Sequence, residues 1–345
     1  MKSAAKTLAL HIGANKTGSS AIQEFLRLNA GRLAAHGVIV APADLMPGGP
    51  VSGQHVPFLE HLREDMHNGR KVVRERIFLL MRDAPVGGKV IVSAENLSNL
   101  NGTHELFADA VARHNTQVVL YIRRQDELLL SSWQQWGSKE SDDCWAWIVS
   151  QVGRRGDWRL TLQPWEELVR RDQISIRIYD RRRLHRQNVI ADFVVTLGLG
   201  NILQEFDIPA KTSNPSYSEA VLDFVKGNPL LFRDIHDNRV YDIIEELTGY
   251  QFHRSPRESI ITHAQRLALL KKYSGTNTWV KNRYFPESNE PLFPEPRPED
   301  HDVVDREKIT EQKWQLASSL LYGLLQRVMK EDRRIQTTRG EPSSS

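Results

Sequence analysis

Gly13, Lys16, Thr17, Gly18, Ser19 and Ser20 crowd into one short stretch near the start of the chain. An apolar run (Leu8, Leu10, Ile12) precedes them, and Ile22, Phe25 and Leu26 follow at helical spacing. The pattern predicts strand, turn, helix. In that layout a glycine lets the backbone approach an anion. The helix N-terminus offers N–H groups and the positive end of its dipole, and a lysine adds a full charge. The predicted chemistry is capture of a phosphate, such as an anionic nucleotide donor carries. Glycine, threonine and serine also build ordinary turns and caps. The lysine centred in the turn is what makes this one specific.

Two more chemically able residues follow predicted strands. Glu95 comes after Lys89–Ser93, and Arg123 after Gln117–Ile122. Ligands of parallel sheets sit at the carboxyl ends of the strands. The loop at 13–20, Glu95 and Arg123 are therefore predicted to converge. Plainer readings stay open beside this one. Arg123 could pair on the surface with Asp126 or Glu127, and Glu95 could cap a helix or meet a lysine. His55, delivered by the Pro- and Gly-rich loop 42–54, could simply face solvent, and His11 reads as a hydrogen-bonded core histidine.

The elements that must hold these residues alternate. Strands are predicted near 8–12, 37–41, 89–93, 117–122 and 174–179, with helices at 21–36, 56–80, 105–114, after Asp126 as a cap, within 144–171 and at 191–197. That order predicts an α/β fold: a three-layer parallel sheet of the P-loop type flanked by helices, with a helical C-terminal half. Residues 1–205 form the sheet core, and 206–290 a helical region of the same domain. Residues 291–306 are a Pro-rich linker or wrap, 332–345 a disordered tail. Between them, 307–331 is an amphipathic helix with Trp314, Ala317, Leu321, Leu324, Leu325 and Val328 on one face.

A formal charge of +3 on 345 residues gives no argument for nucleic acid. Cys144 stands alone, which rules out an intrachain disulfide and a cysteine-only metal site and fits a reducing compartment. No run reaches the ~18 apolar residues of a membrane span, and the first apolar stretch is too short for a signal peptide core. The expectation is a cytoplasmic protein, with peripheral membrane contact left open.

The loop departs from Gly-x-x-x-x-Gly-Lys-Ser/Thr, because Gly18 follows Lys16 rather than preceding it. Instead, His11-Ile-Gly-Ala-Asn-Lys-Thr-Gly-Ser-Ser-Ala-Ile-Gln23 resembles the 5′-phosphosulfate loop of sulfotransferases of the bacterial and Golgi-type branch. Ser-Ala-Glu95-Asn-Leu-Ser resembles that branch's Ser-Glu-His/Asn-Leu segment, and Trp165 with Ile176-Arg-Ile-Tyr-Asp180 its Trp…Val-Arg-x-Tyr segment. Asn214-Pro-Ser also has a counterpart there. The resemblance implies the donor 3′-phosphoadenosine-5′-phosphosulfate (PAPS), its product PAP, and no metal. It implies that Gly13, Asn15, Lys16, Thr17, Gly18, Ser19 and Ser20 hold the 5′-phosphosulfate. The donor's 3′-phosphate is held in that family by a strand-end arginine and a serine eight residues later. Arg123 with Ser131 has that spacing, as does Arg124 with Ser132. Lys16 is implied to steady the leaving phosphate and Glu95 or His55 to act as base. The acceptor is implied to be a carbohydrate or glycolipid. A Mg²⁺-dependent P-loop nucleotide kinase and a non-catalytic nucleotide-binding protein on the same fold are the alternatives.

Overall fold

Alternation along the first strand sets the plan of the sheet. The protein is seen in a computed structural model that describes residues 5–48, 57–209, 217–226, 229–234, 237–252 and 257–339. Strand β1 (Thr7–Ile12) sends Leu8, Leu10 and Ile12 into one buried layer and Ala9 into the other. The chain continues through α1 (Ser19–Leu28), α2 (Ala30–Ala35), β2 (Val38–Val40), α3 (Pro57–Arg63), α4 (Met66–Asp83) and β3 (Lys89–Ala94). Next come α5 (Ala108–Val111), β4 (Asn115–Ile122), α6 (Gln125–Gln135), α7 (Cys144–Ser150), α8 (Trp158–Leu168), β5 (Ile174–Ile178) and α9 (Val189–Thr196). The remainder is mostly helical: α10 (Glu219–Lys226), α11 (Arg239–Thr248), β6 (Glu258–Ser259), α12 (His263–Lys272), α13 (Ser274–Tyr284), β7 (Asp302–Val303) and α14 (Arg306–Arg339).

The fold is α/β, as predicted. Five parallel strands lie in the order β2-β3-β1-β4-β5. One face is covered by α4, α5 and α8 through Val73, Ile77, Ala110, Leu162 and Trp165. The other is covered by α1 and α9 through Ile22, Phe25, Ile190 and Phe193. Burying each such Leu, Ile or Phe contributes about 1.5–3 kcal/mol, so these two layers dominate the stability of the sheet. Helix α1 leaves β1 toward one face, whereas α4, α5 and α8, which feed β3, β4 and β5, take the other. Connections that part in this way open a crevice at the carboxyl end of β1.

Side-chain caps fix several helix starts: Asp65 accepts from Asn68 N (3.1 Å), Asp157 from Leu160 N (3.3 Å) and Asn188 from Ile190 N (2.8 Å). The helix predicted at 105–114 is instead a 3₁₀ turn, Thr103–Phe107, followed by the short α5. Gly102 opens that turn at φ +85°, and Asn101 Oδ1 ties down Thr103, so the local polar contacts favour the tighter winding. Asp126 is not the cap of α6. It lies inside the first turn and is bound to Arg124.

The residues gather into two compact units. The first is Met1–Leu128, Gly153–Ser213 and Lys272–Pro294; the second is Leu129–Val152, Asn214–Lys271 and Glu295–Ser345. This grouping differs from the linear division at 205 and 290. In the first unit α13 packs on α8, where Thr276 Oγ1 accepts from Arg159 N (2.9 Å) and Val280 joins the core. Leu292 and Phe293 are buried there too, so the start of the Pro-rich segment is a wrap.

In the second unit α10, α11 and α14 enclose Val221, Leu222, Val225, Tyr241, Ile244 and Leu316. Helix α14 continues to Arg339, which corrects the expected disorder from 332 onward; residues 340–345 lie outside the described residues. Among the described residues, no helix is long and apolar enough to cross a membrane.

Candidate functional site

Strand register decides which residues leave the sheet together. β1 and β3 pair Ile12 with Ala94, so Gly13 and Glu95 emerge side by side, with Gly13 N donating to Ala94 O (3.2 Å). β4 and β5 pair Ile122 with Ile178, which sets Arg123 beside Tyr179. Gly13 is closely surrounded. A Cβ there would lie 3.1 Å from Ser19 Cβ and 3.3 Å from His11 Cε1.

The turn that follows is tightly wound. Lys16 (φ +63°) and Gly18 (φ +85°) are both left-handed, and the buried Thr17 donates from Oγ1 to Ala14 O (2.7 Å). A left-handed lysine costs on the order of 1–3 kcal/mol and persists only where its surroundings hold it. Two contacts hold this turn. Arg123 Nη1 donates to Lys16 O (3.1 Å), and Tyr179 packs so close to Gly18 that a Cβ there would lie 2.7 Å from its ring. Helix α1 begins directly after Gly18 with no side-chain cap and no acidic residue in its first turn. Asn15 is half-buried in the same turn, and Ser20 is exposed.

Glu95 meets the loop from β3. Ser19 Oγ donates to Glu95 Oε1, and Ser98 Oγ reaches both Gly13 O (3.0 Å) and Glu95 O (2.9 Å). Burial holds the Glu95 carboxyl above the usual carboxylate range, against the opposing pull of the Ser19 hydrogen bond and the Lys16 charge. Lys16 is pushed down to about 8, by burial first and then by the Arg123 charge, with Glu95 acting in the opposite sense. A partly buried cation, a second cation and an acid that resists ionisation thus surround one loop. An anion bound among them would favour the charged form of Lys16, and an ionised Glu95 could take a proton.

The two neighbouring arginines have different work. Arg124 forks onto the buried Asp126 (2.6 and 3.0 Å) and also donates to Pro294 O (3.1 Å). Arg123 turns to the loop, lies 5.6 Å over the Tyr179 ring and touches Glu127 at a long 3.4 Å. This favours Arg123 over Arg124 as the anion-facing residue. Ser131 is half-buried on α6 in the second unit, and Ser132 is buried.

His55 lies outside the described residues. His11 is a core residue: Nδ1 bonds Ser93 Oγ (2.8 Å), the ring packs on Phe193 and Tyr121, and burial pushes its pKa down to about 3. Sequence reasoning gave Tyr179 and Ser98 no role at the site. The signal for Tyr179 was its place directly after β5, level with Arg123. Ser98 carried none, because its role depends on the 3₁₀ turn after Glu95.

An uncharacterized protein of Archaeoglobus fulgidus is 27% identical over 235 residues, covering 64% of this chain and 61% of the relative. The chain thus spans less than two thirds of that relative's length. No family model matches the sequence. No solved structure matches it either.

Proposed function

We propose that this chain is a PAPS-dependent sulfotransferase acting on a hydroxyl or amine of a carbohydrate or glycolipid acceptor, in a reducing, cytoplasmic setting. The supporting observation is that Lys16 and Glu95 meet at the loop after β1, with Arg123 hydrogen-bonded to that same loop. The residues present fit an anionic donor. Space at Gly13 is kept clear of a side chain, α1 opens without an acidic or capping side chain, and two cations flank the turn.

The donor, when bound, supplies an activated sulfuryl group whose sulfur–oxygen bond to the 5′-phosphate breaks as the acceptor oxygen or nitrogen bonds to sulfur. Lys16 holds the negative charge that gathers on the departing phosphate oxygen, helped by the N–H groups at the start of α1. Glu95, ionised, accepts the proton that the acceptor loses; Ser19 orients its carboxylate. Arg123 receives the donor's second phosphate, the guanidinium in its bidentate fashion. Positioning and electrostatics carry the rate in such displacements.

Thermal shift with PAP, with ATP·Mg²⁺ and with buffer alone tests this, followed by transfer of labelled sulfate to mixed glycan and glycolipid acceptors. Stabilisation by PAP is expected. Stabilisation by ATP·Mg²⁺ but not by PAP would overturn the reading in favour of a nucleotide kinase. PAP binding without turnover on any acceptor would favour a nucleotide-binding role.

A further inference from the structure

Helix α14 carries two apolar faces, and one of them is covered within the chain. Leu316, Leu320 and Gly323 turn toward α10 and α11; a Cβ on Gly323 would lie 2.9 Å from Leu247 O, and Arg327 completes this side by reaching Glu246 (3.1 Å). The second face holds the stripe of Trp314, Ala317, Leu321, Leu324, Leu325 and Val328. Trp314 is 71% exposed, Leu321 60% and Val328 62%. At about 100° per residue the two faces point roughly 120° apart, so the packing that buries Leu316 leaves this stripe in solvent.

The spacing of the exposed stripe identifies what fits it. Positions 314, 317, 321, 324 and 328 step by three and four in turn, the 3.5-residue period of a coiled-coil seam. We propose that this seam docks against the same seam of a second copy of the chain, making a parallel homodimer through paired α14 helices. Across two copies the exposed side chains present on the order of 1,000 Å² of apolar surface or more, which reaches the size of a stable interface. Contiguous patches of this kind mark docking surfaces in soluble proteins.

Flanking charges tell the two directions apart. In a parallel pair Arg327 of one copy lies across the seam from Asp332 of the other, an attractive contact between flanking heptad positions. An antiparallel pair centred between Leu321 and Leu324 would instead set Lys313 against Asp332 and Arg327 against Ser318, so an Arg327–Asp332 coupling belongs to the parallel arrangement alone. A lipid surface is a poorer occupant. A helix lying on an anionic membrane has a basic polar face, whereas α14 mixes Glu311, Glu331 and Asp332 with its lysines and arginines.

The mass of the 345-residue chain measured by light scattering at ~100 μM, far above a micromolar Kd, should be that of a dimer. The pair Leu321→Glu, Leu324→Glu should return a monomer with unchanged helical circular dichroism and unchanged PAP response. Arg327→Glu should weaken association several-fold, and adding Asp332→Lys should restore it. A monomer at the highest concentration, or a dimer indifferent to the paired substitutions, would overturn the proposal. So would failure of the charge swap to restore association, or flotation of a monomer with phosphatidylserine vesicles.

Discussion

The loop after β1 and the outer face of α14 invert the usual placement of side chains in opposite ways. At the loop, Lys16 and Glu95 are partly withdrawn from water, where each charge is disfavoured. On α14, Trp314, Leu321 and Val328 stand in water, where apolar surface is disfavoured. Both arrangements lose free energy in the isolated chain. They differ in what stabilises them locally. The loop is braced by Arg123, Tyr179, Ser19 and Ser98, so its geometry is built in advance of any ligand. The α14 stripe has no such bracing and needs none, because a helix presents its side chains at fixed intervals by itself. A site for a small anion has to be assembled from distant strands, whereas a surface for another helix can be written along one.

The sharpest test of the contrast is Lys16→Ala. It should lower sulfuryl transfer by about 10²–10³-fold or more, the scale of losing a group that stabilises developing charge, while thermal unfolding stays unchanged. Unfolding at markedly lower temperature would make Lys16 a structural residue. On α14, Leu316→Ala should cost about 2–5 kcal/mol in denaturant unfolding, because it empties a core position. Leu321→Ala should stay within about 0.5 kcal/mol when measured below the association range. Equal costs would erase the distinction between the two faces.

The arginine pair sharpens the loop side. Arg123→Ala should weaken PAP binding by about 2–3 kcal/mol by calorimetry, with a melting temperature lowered by no more than the loss of its bond to Lys16 O accounts for. Arg124→Ala should do the reverse, lowering stability by ~3 kcal/mol because it strands the buried Asp126. If Arg124→Ala is the variant that loses PAP, the two roles are exchanged. The smallest effect is on pH. In the proposed mechanism turnover needs Glu95 ionised and Lys16 protonated, so kcat/KM should rise through the elevated Glu95 pKa and fall through about 8 as Lys16 loses its proton. Glu95→Gln should remove the acid limb, and Arg123→Met should move the alkaline limb upward by removing a neighbouring positive charge.

Much of the sheet was legible in the sequence, since strands buried on both faces read as apolar runs and β5, with Ser175 and Arg177 on its polar side, reads by alternation. β1, β3 and β5 start and end within one residue of the runs that predicted them. Convergence of the loop, Glu95 and Arg123 was legible for the same reason: parallel strands present their carboxyl ends on one side. The choice between Arg123 and Arg124 was not, because it depends on a fork to Asp126 and on the carbonyl of Pro294, 170 residues away. The covered face of α14 was not legible either. Its sequence holds two stripes at helical spacing, and only the glycine at 323 hints which one another helix approaches closely.

Ser98 has a consequence for accuracy. Its single hydroxyl touches the carbonyls of Gly13 and Glu95, which belong to two different strand ends. Loops that wander independently would let the gap between anion cradle and proton acceptor vary as the sum of two motions. Pinned at one atom, they share a common frame of reference, and the whole assembly drifts as one body. If the proposed transfer takes place here, where little misalignment is tolerated, a serine so placed would act as the gauge block of the site.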